Sequence, residues 1–178
     1  TVLSPCDENP TYLATMAAIK ELNTPCYIRY GREPVPNFTS RDDKFEIGKA
    51  QWFKHGSDLG IVATGSMVWT ALETAEILEN KGFSVGVLNI HTLKPIDKDA
   101  IIQIAKESRR IITLEEHQVI GGLGGAVAEV LGEHCPTPIK IIGMPDCFGE
   151  SGSPKELLQK YGLDSQSVSC KAMDFINQ

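Results

Sequence analysis

Two carboxylates and an imidazole, Glu115, Glu116 and His117, stand side by side in the stretch IITLEEHQVIGGLGGAVAEVL over residues 111–131. Such a trio is the raw material of acid–base catalysis or metal ligation. It follows four residues with the character of a buried strand, Ile111 to Leu114. It precedes a glycine cluster, after which Ala126, Val127, Val130 and Leu131 recur at helical spacing. The pattern predicts strand, loop, glycine turn and helix, with the trio at the strand's C-terminal end, where open α/β sheets usually meet ligands. Successive residues of an extended chain point to opposite sides, however, so the three converge only if the chain bends. No second set of ligands lies nearby, and a structural or interface role is the expectation for all three, with no metal site.

Two other groups could do chemistry. The stretch Gly121-Gly122-Leu123-Gly124-Gly125 sits at a strand-to-helix junction whose free N–H groups could receive a phosphate. It fits neither G-x-G-x-x-G nor a Walker motif, so a tight turn with close helix packing is the better reading. Arg29 and Arg32 flank the end of a strand in Ile28-Arg29-Tyr30-Gly31-Arg32. A guanidinium there suits a bidentate grip on an anionic group, although the commoner role of a surface arginine is solvated or salt-bridged. No Ser-His-Asp or Cys-His arrangement stands out, and Trp52 and Trp69 read as packing residues.

The elements that must position these groups alternate. Val2 to Ser4 is a short strand candidate, Asn9-Pro10 opens a helix with Asn9 as its cap, and Cys26 to Tyr30 is a second strand candidate. This β-α-β unit needs neighbouring strands to cover it, and none lies upstream. Residues 31–44, GREPVPNFTSRDDK, lack apolar periodicity and predict a linker, with a domain boundary at 37–44. Further strands are predicted at 50–54, 59–64, 84–89, 111–114 and 138–142.

Helices are expected at 66–81, ending at Gly82, at 97–108 from an Asp97 cap, from a capping box at Ser153 to Glu156 through Tyr161, and from an Asp164 cap to the C-terminus. Alternation of this kind indicates a largely parallel sheet covered on both faces. Only His55 to Asp58 separate the first two strands of the set, too few for a parallel crossover, so the first should be antiparallel. The expected architecture is three-layer α/β/α around a mixed five-stranded sheet, preceded by a partial β-α-β unit.

The 178 residues can bury a real core, and a formal net charge of −6 leaves no excess of Lys and Arg to neutralise phosphates, which argues against nonspecific nucleic-acid or acidic-membrane binding but leaves room for a small anionic substrate. Five dispersed cysteines without CxxC spacing fit reduced thiols in a cytoplasmic protein. No signal peptide or long apolar run is present. The first residue is Thr1 rather than Met, consistent with a processed or truncated piece.

Taken in order, Phe45-Glu46-Ile47-Gly48-Lys49-Ala50, His91-Thr92-Leu93-Lys94-Pro95-Ile96-Asp97, Thr113 to His117 with Gly121 to Gly124, Phe148-Gly149-Glu150-Ser151-Gly152 and Tyr161-Gly162-Leu163-Asp164 resemble the C-terminal third of transketolases. The nearest look-alikes are 1-deoxyxylulose-5-phosphate synthases and the β-subunits of 2-oxo acid dehydrogenase E1 components. The EEH and FGESG stretches are more similar to transketolase, especially the form split into N- and C-terminal sections.

The resemblance implies that residues 1–36 end a pyrimidine-binding domain, that 37–44 are a linker and that 45–178 form a transketolase C-terminal domain. It implies a homodimer that moves a two-carbon ketol unit between sugar phosphates using thiamine diphosphate and Mg2+ or Ca2+, completed by missing N-terminal domains or an N-terminal section. The cofactor-activating glutamate and the metal-binding motif belong to parts absent here, so this chain alone should be inactive and bind no cofactor, and none of its residues is expected to be catalytic. One position transfers: Arg32 matches the arginine that holds the sugar phosphate, with Arg29 in support. A non-catalytic dimerisation or docking module is the alternative from another class.

Overall fold

In the computed structural model, which describes residues 1–178, the order is β1 (Val2–Leu3), α1 (Glu8–Glu21), β2 (Tyr27–Ile28), β3 (Gln51–Lys54), β4 (Leu59–Ala63), α2 (Met67–Glu79), β5 (Val85–Asn89), β6 (Thr92–Lys94), α3 (Lys98–Ser108), β7 (Ile111–Gln118), α4 (Leu123–His134), β8 (Ile139–Met144), α5 (Pro154–Lys160) and α6 (Ser165–Ile176). The central sheet has the order β3-β5-β4-β7-β8, with β4, β5, β7 and β8 parallel and β3 antiparallel at one edge. Its mixed, five-stranded, mostly parallel character is as expected. The antiparallel strand pairs with β5 rather than with its sequence neighbour β4.

Period-two alternation assigns each strand residue to a layer. Leu59, Ile61, Ala63, Val85, Val87, Ile112 and Leu114 pack with α2 and α6, while Val62, Leu88 and Ile111 pack with α3 and α4. Strands buried on both faces read as the near-continuous apolar runs of a parallel sheet. On α2, Val68, Ala75 and Leu78 are buried and Leu72 is half-buried; on α3, Ile101, Ile104 and Ala105 are buried. A fully buried Leu or Ile contributes roughly 1.5–3 kcal/mol, so these two clusters carry most of the fold's stability. Trp69 packs on Phe38 with ring centroids 5.5 Å apart, and Trp52 stacks on His55 at 4.3 Å.

Local hydrogen bonds start most helices where expected. Asp97 accepts from Ala100 N–H, Asp164 from Ser167 N–H, and Ser153 with Glu156 closes a capping box. Gly82 stops the chain after α2 with φ +91°. One cap differs: Asp7, not Asn9, caps α1, and Asp7 accepts from Asn9 N–H. Pro10 is thereby third in the helix, inside the first turn where no intrahelical donor is required.

Two differences concern strands. β7 does not stop at Leu114 but runs to Gln118, because β8 continues to Met144 and pairs Gln118 with it across a register irregularity. Thr92–Lys94, which has no strand signature, forms β6 and pairs antiparallel with β1, giving a second sheet of order β2-β1-β6. The β-α-β unit therefore gains a neighbour on one side from downstream in the chain. No helix is long and apolar enough to cross a membrane.

Candidate functional site

The C-terminal ends of three parallel strands converge on the N-terminal unit. Past β5, the His91 carbonyl accepts from Ser4 N–H at 2.8 Å; past β4, Gly65 N–H donates to the Ser4 carbonyl at 3.2 Å; on β7, the Glu116 carbonyl accepts from Arg29 Nη2 at 2.7 Å. The edge at which an open α/β sheet ordinarily receives a ligand is thus occupied by the chain's own first thirty residues. Leu3, Ser4, Cys6 and Asp7 are buried there. Burial pushes the Cys6 thiol up to about 12, so it is an inert packing group.

The pleat of β7 divides the trio Glu115, Glu116 and His117. Glu115 points inward and is 1% exposed, and its two carboxylate oxygens accept from Leu123 N–H at 2.6 Å and Gly124 N–H at 2.8 Å. It acts as the cap of α4, whose own N-cap residue, Gly122, has no side chain to offer. A Cβ at Gly122 would meet the Glu115 carboxylate, so any other residue there would have to push that carboxylate off its two N–H donors. Burial raises the Glu115 carboxyl above the ordinary carboxylate range, against the pull of the two N–H groups, His117 and Arg29. Glu116 points the other way and accepts from Ser66 Oγ at 2.9 Å. His117 shares the Glu115 side, with Nδ1 3.8 Å from Glu115 Oε2 and 2.9 Å from the Gln118 carbonyl. These three side chains do not converge on a common open point.

Arg29 and Arg32 also part company. Arg29 is half-buried against β7, whereas the Arg32 side chain is 97% exposed and meets only Glu33, at 4.0 Å. The loop that carries Arg32 is tied at both feet. On one side Arg29 N–H donates to the Leu3 carbonyl at 2.9 Å and Tyr30 Oη lies 2.9 Å from Thr15 Oγ1. On the other, the Asp7 carboxylate accepts from Phe38 N–H, Thr39 N–H and Thr39 Oγ1 at 2.6–3.0 Å. The sequence offered Asn9 rather than Asp7 as the cap, and the second role of Asp7 depends on partners about thirty residues away.

The helix N–H groups that could receive a phosphate at the glycine turn are already taken by Glu115, and no group of three His, Cys, Asp or Glu side chains is placed to hold a metal. All five cysteines are free.

The structure is thus a doubly covered, mostly parallel sheet whose ligand edge is plugged by a β-α-β unit bearing an outward arginine. Comparison with known proteins gives the family. Residues 48–168 match the family described as transketolase, C-terminal domain. The chain is 42% identical over 168 residues to the 6-deoxy-6-sulfo-D-fructose transketolase subunit SqwH of Clostridium sp. (strain MSTE9), covering 94% of this chain and 52% of that protein. It is 38% identical over 178 residues to an apulose-4-phosphate transketolase subunit of Phocaeicola vulgatus, covering 99% of this chain and 56% of that one.

A solved structure described as a split gene transketolase, inactive beta4 tetramer, superposes with a TM-score of 0.93 at 42% identity, over 99% of this chain and 57% of that one. The chain belongs to the transketolase C-terminal domain family. It spans about half the length of the curated relatives it matches.

Proposed function

We propose that this chain is the C-terminal part of a transketolase that moves a two-carbon ketol unit between sugar phosphates, and that Arg32 holds the anionic end of the sugar. Thiamine diphosphate and Mg2+ or Ca2+ belong, in this reading, to segments outside the chain. Residues 1–36 close a pyrimidine-binding domain, residues 37–44 link it to the C-terminal domain of 45–178, and the assembled enzyme is a homodimer. The outer edge of β2 is unpaired and Tyr27 on it is 62% exposed, which supports continuation of that sheet by chain not contained here.

The observation that carries the reading is Arg32 itself, exposed on a loop anchored at both feet and engaged by nothing stronger than a 4.0 Å contact. A guanidinium held out in this way can give two parallel hydrogen bonds to a tetrahedral anion at little cost in reorganisation. The names of the two relatives specify a sulfo-sugar and a sugar phosphate, both ending in such an anion.

A hydrogen bond to a charged group contributes about 1.5–3 kcal/mol. In the assembled enzyme, Arg32→Ala should therefore raise KM for phosphorylated sugars about ten- to a hundredfold and leave unphosphorylated analogues unchanged. Equal effects on both substrate classes would overturn the assignment of Arg32. Turnover with pyruvate in place of a ketose phosphate as donor would overturn the transketolase reading.

A further inference from the structure

We infer that Arg29 is a positioning residue: through the backbone carbonyl of Glu116 it makes the C-terminal domain set where Arg32 is held. The inference rests on the proposed role of Arg32 and adds the device that aims it.

Arg29 and Arg32 lie three residues apart on one strand exit, and only Arg29 is tied down. Its Nη2 donates to the Glu116 carbonyl at 2.7 Å, a contact between positions 87 apart in the chain. The acceptor is rigidly mounted. On one side of it the Glu115 carboxylate is fastened to the first turn of α4 by two N–H groups; on the other, Gln118 pairs with Met144 of β8. The Glu116 side chain adds a bond from Ser66 Oγ at the start of α2. The backbone at Glu116 is therefore referenced to two helices and a neighbouring strand of the C-terminal domain.

Beyond Tyr30 no hydrogen bond holds the chain until Asn37, so the loop inherits its direction from its feet. Losing the Arg29 side-chain bond leaves this foot on the Leu3 carbonyl and Thr15 but frees it from β7, so that Arg32 samples other directions, and a displacement of about 1 Å at an anchoring group can change a rate or an affinity by large factors. Because the acceptor is a main-chain carbonyl, it is present whatever side chain stands at 116. The requirement falls on residue 29 alone: a long side chain ending in a donor. The negative charge of nearby Glu115 adds an attraction that keeps a cation in place.

The test is a double-mutant cycle in the assembled enzyme, with kcat and KM measured for a phosphorylated acceptor and its unphosphorylated analogue. Arg29→Met should raise KM for the phosphorylated acceptor about tenfold, with kcat and the analogue's KM within about twofold. Arg29→Lys, which keeps a donor and the charge, should recover most of that loss; if Arg29→Met fails to fold, Arg29→Gln, polar but shorter and uncharged, should show the same phosphate-selective loss. Added to Arg32→Ala, Arg29→Met should cost nothing further, because the residue it aims is gone.

An undiminished loss in the double variant would mean that Arg29 acts on the substrate independently and would overturn the inference. So would equal losses for both acceptors, the mark of a general structural defect. A phosphate-selective loss in Arg32→Ala with none in Arg29→Met would remove the positioning role and leave Arg32 standing. No selective loss in Arg32→Ala would remove both.

Discussion

Lowering the pH from 7 to 4 should weaken this chain by about 3 kcal/mol through one side chain, His91. The imidazole is 3% exposed, stacked on the Phe45 ring at 4.3 Å between centroids, with Nδ1 3.0 Å from Thr92 Oγ1. Burial lowers its pKa from the ordinary 6.5 to about 4, and the opposing attraction of Asp97 is too weak to prevent it. In the unfolded chain the imidazole takes up its proton as the pH falls through 6.5; in the folded chain it resists until about 4. The stabilisation is complete above the unfolded value and is lost progressively as the pH falls toward the folded one. The span corresponds to about 3 kcal/mol at 1.36 kcal/mol per pKa unit. Urea unfolding of the wild type and of His91→Gln across pH 7 to 4 isolates this contribution, since glutamine does not titrate. The wild-type advantage over the variant should shrink by about 3 kcal/mol toward pH 4. A difference constant to within about 0.5 kcal/mol, or one that grows on acidification, would refute the reasoning. The His91 carbonyl accepts from Ser4 and Thr92 pairs with β1, so the same acidification should loosen the seam that seats the N-terminal unit.

Two further perturbations follow from the site. Glu115→Ala leaves the buried N–H groups of Leu123 and Gly124 without an acceptor and should cost about 2–4 kcal/mol in urea unfolding at unchanged slope. Since burial raises the folded carboxyl above its ordinary 4.5, that cost should be greatest at acid pH and diminish as the pH climbs through the raised range. Asp7→Ala removes the cap of α1 and the far foot of the Arg32 loop together, costing about 2–4 kcal/mol. Limited proteolysis should then cut within residues 31–41 faster than in the wild type; an unchanged cleavage pattern would show that Asp7 does not hold the loop.

The helices that begin at Asp97, Ser153 and Asp164 were legible because a cap and its donor lie within three residues of each other, so the bond is written into the local sequence. The two-sided covering of the sheet was legible because strands such as Leu59 to Ala63 and Val85 to Asn89 alternate with helical stretches along the chain. The antiparallel first strand followed from a four-residue connection too short to cross over. The resemblance that singled out Arg32 likewise needed only residues in order.

The extension of β7 to Gln118, the existence of β6, the partner of β3 and the burial of Glu115 were decided by tertiary structure. Each depends on a partner strand or helix end distant in sequence, and the same residues without that partner would form a solvated loop. The separation of Arg29 from Arg32 is the clearest case. Two arginines of one local pattern acquire different surroundings because only one of them can reach a carbonyl 87 residues away. Hydrogen bonds within a turn are set by residue type and spacing, whereas those between elements exist only once packing has brought their ends together.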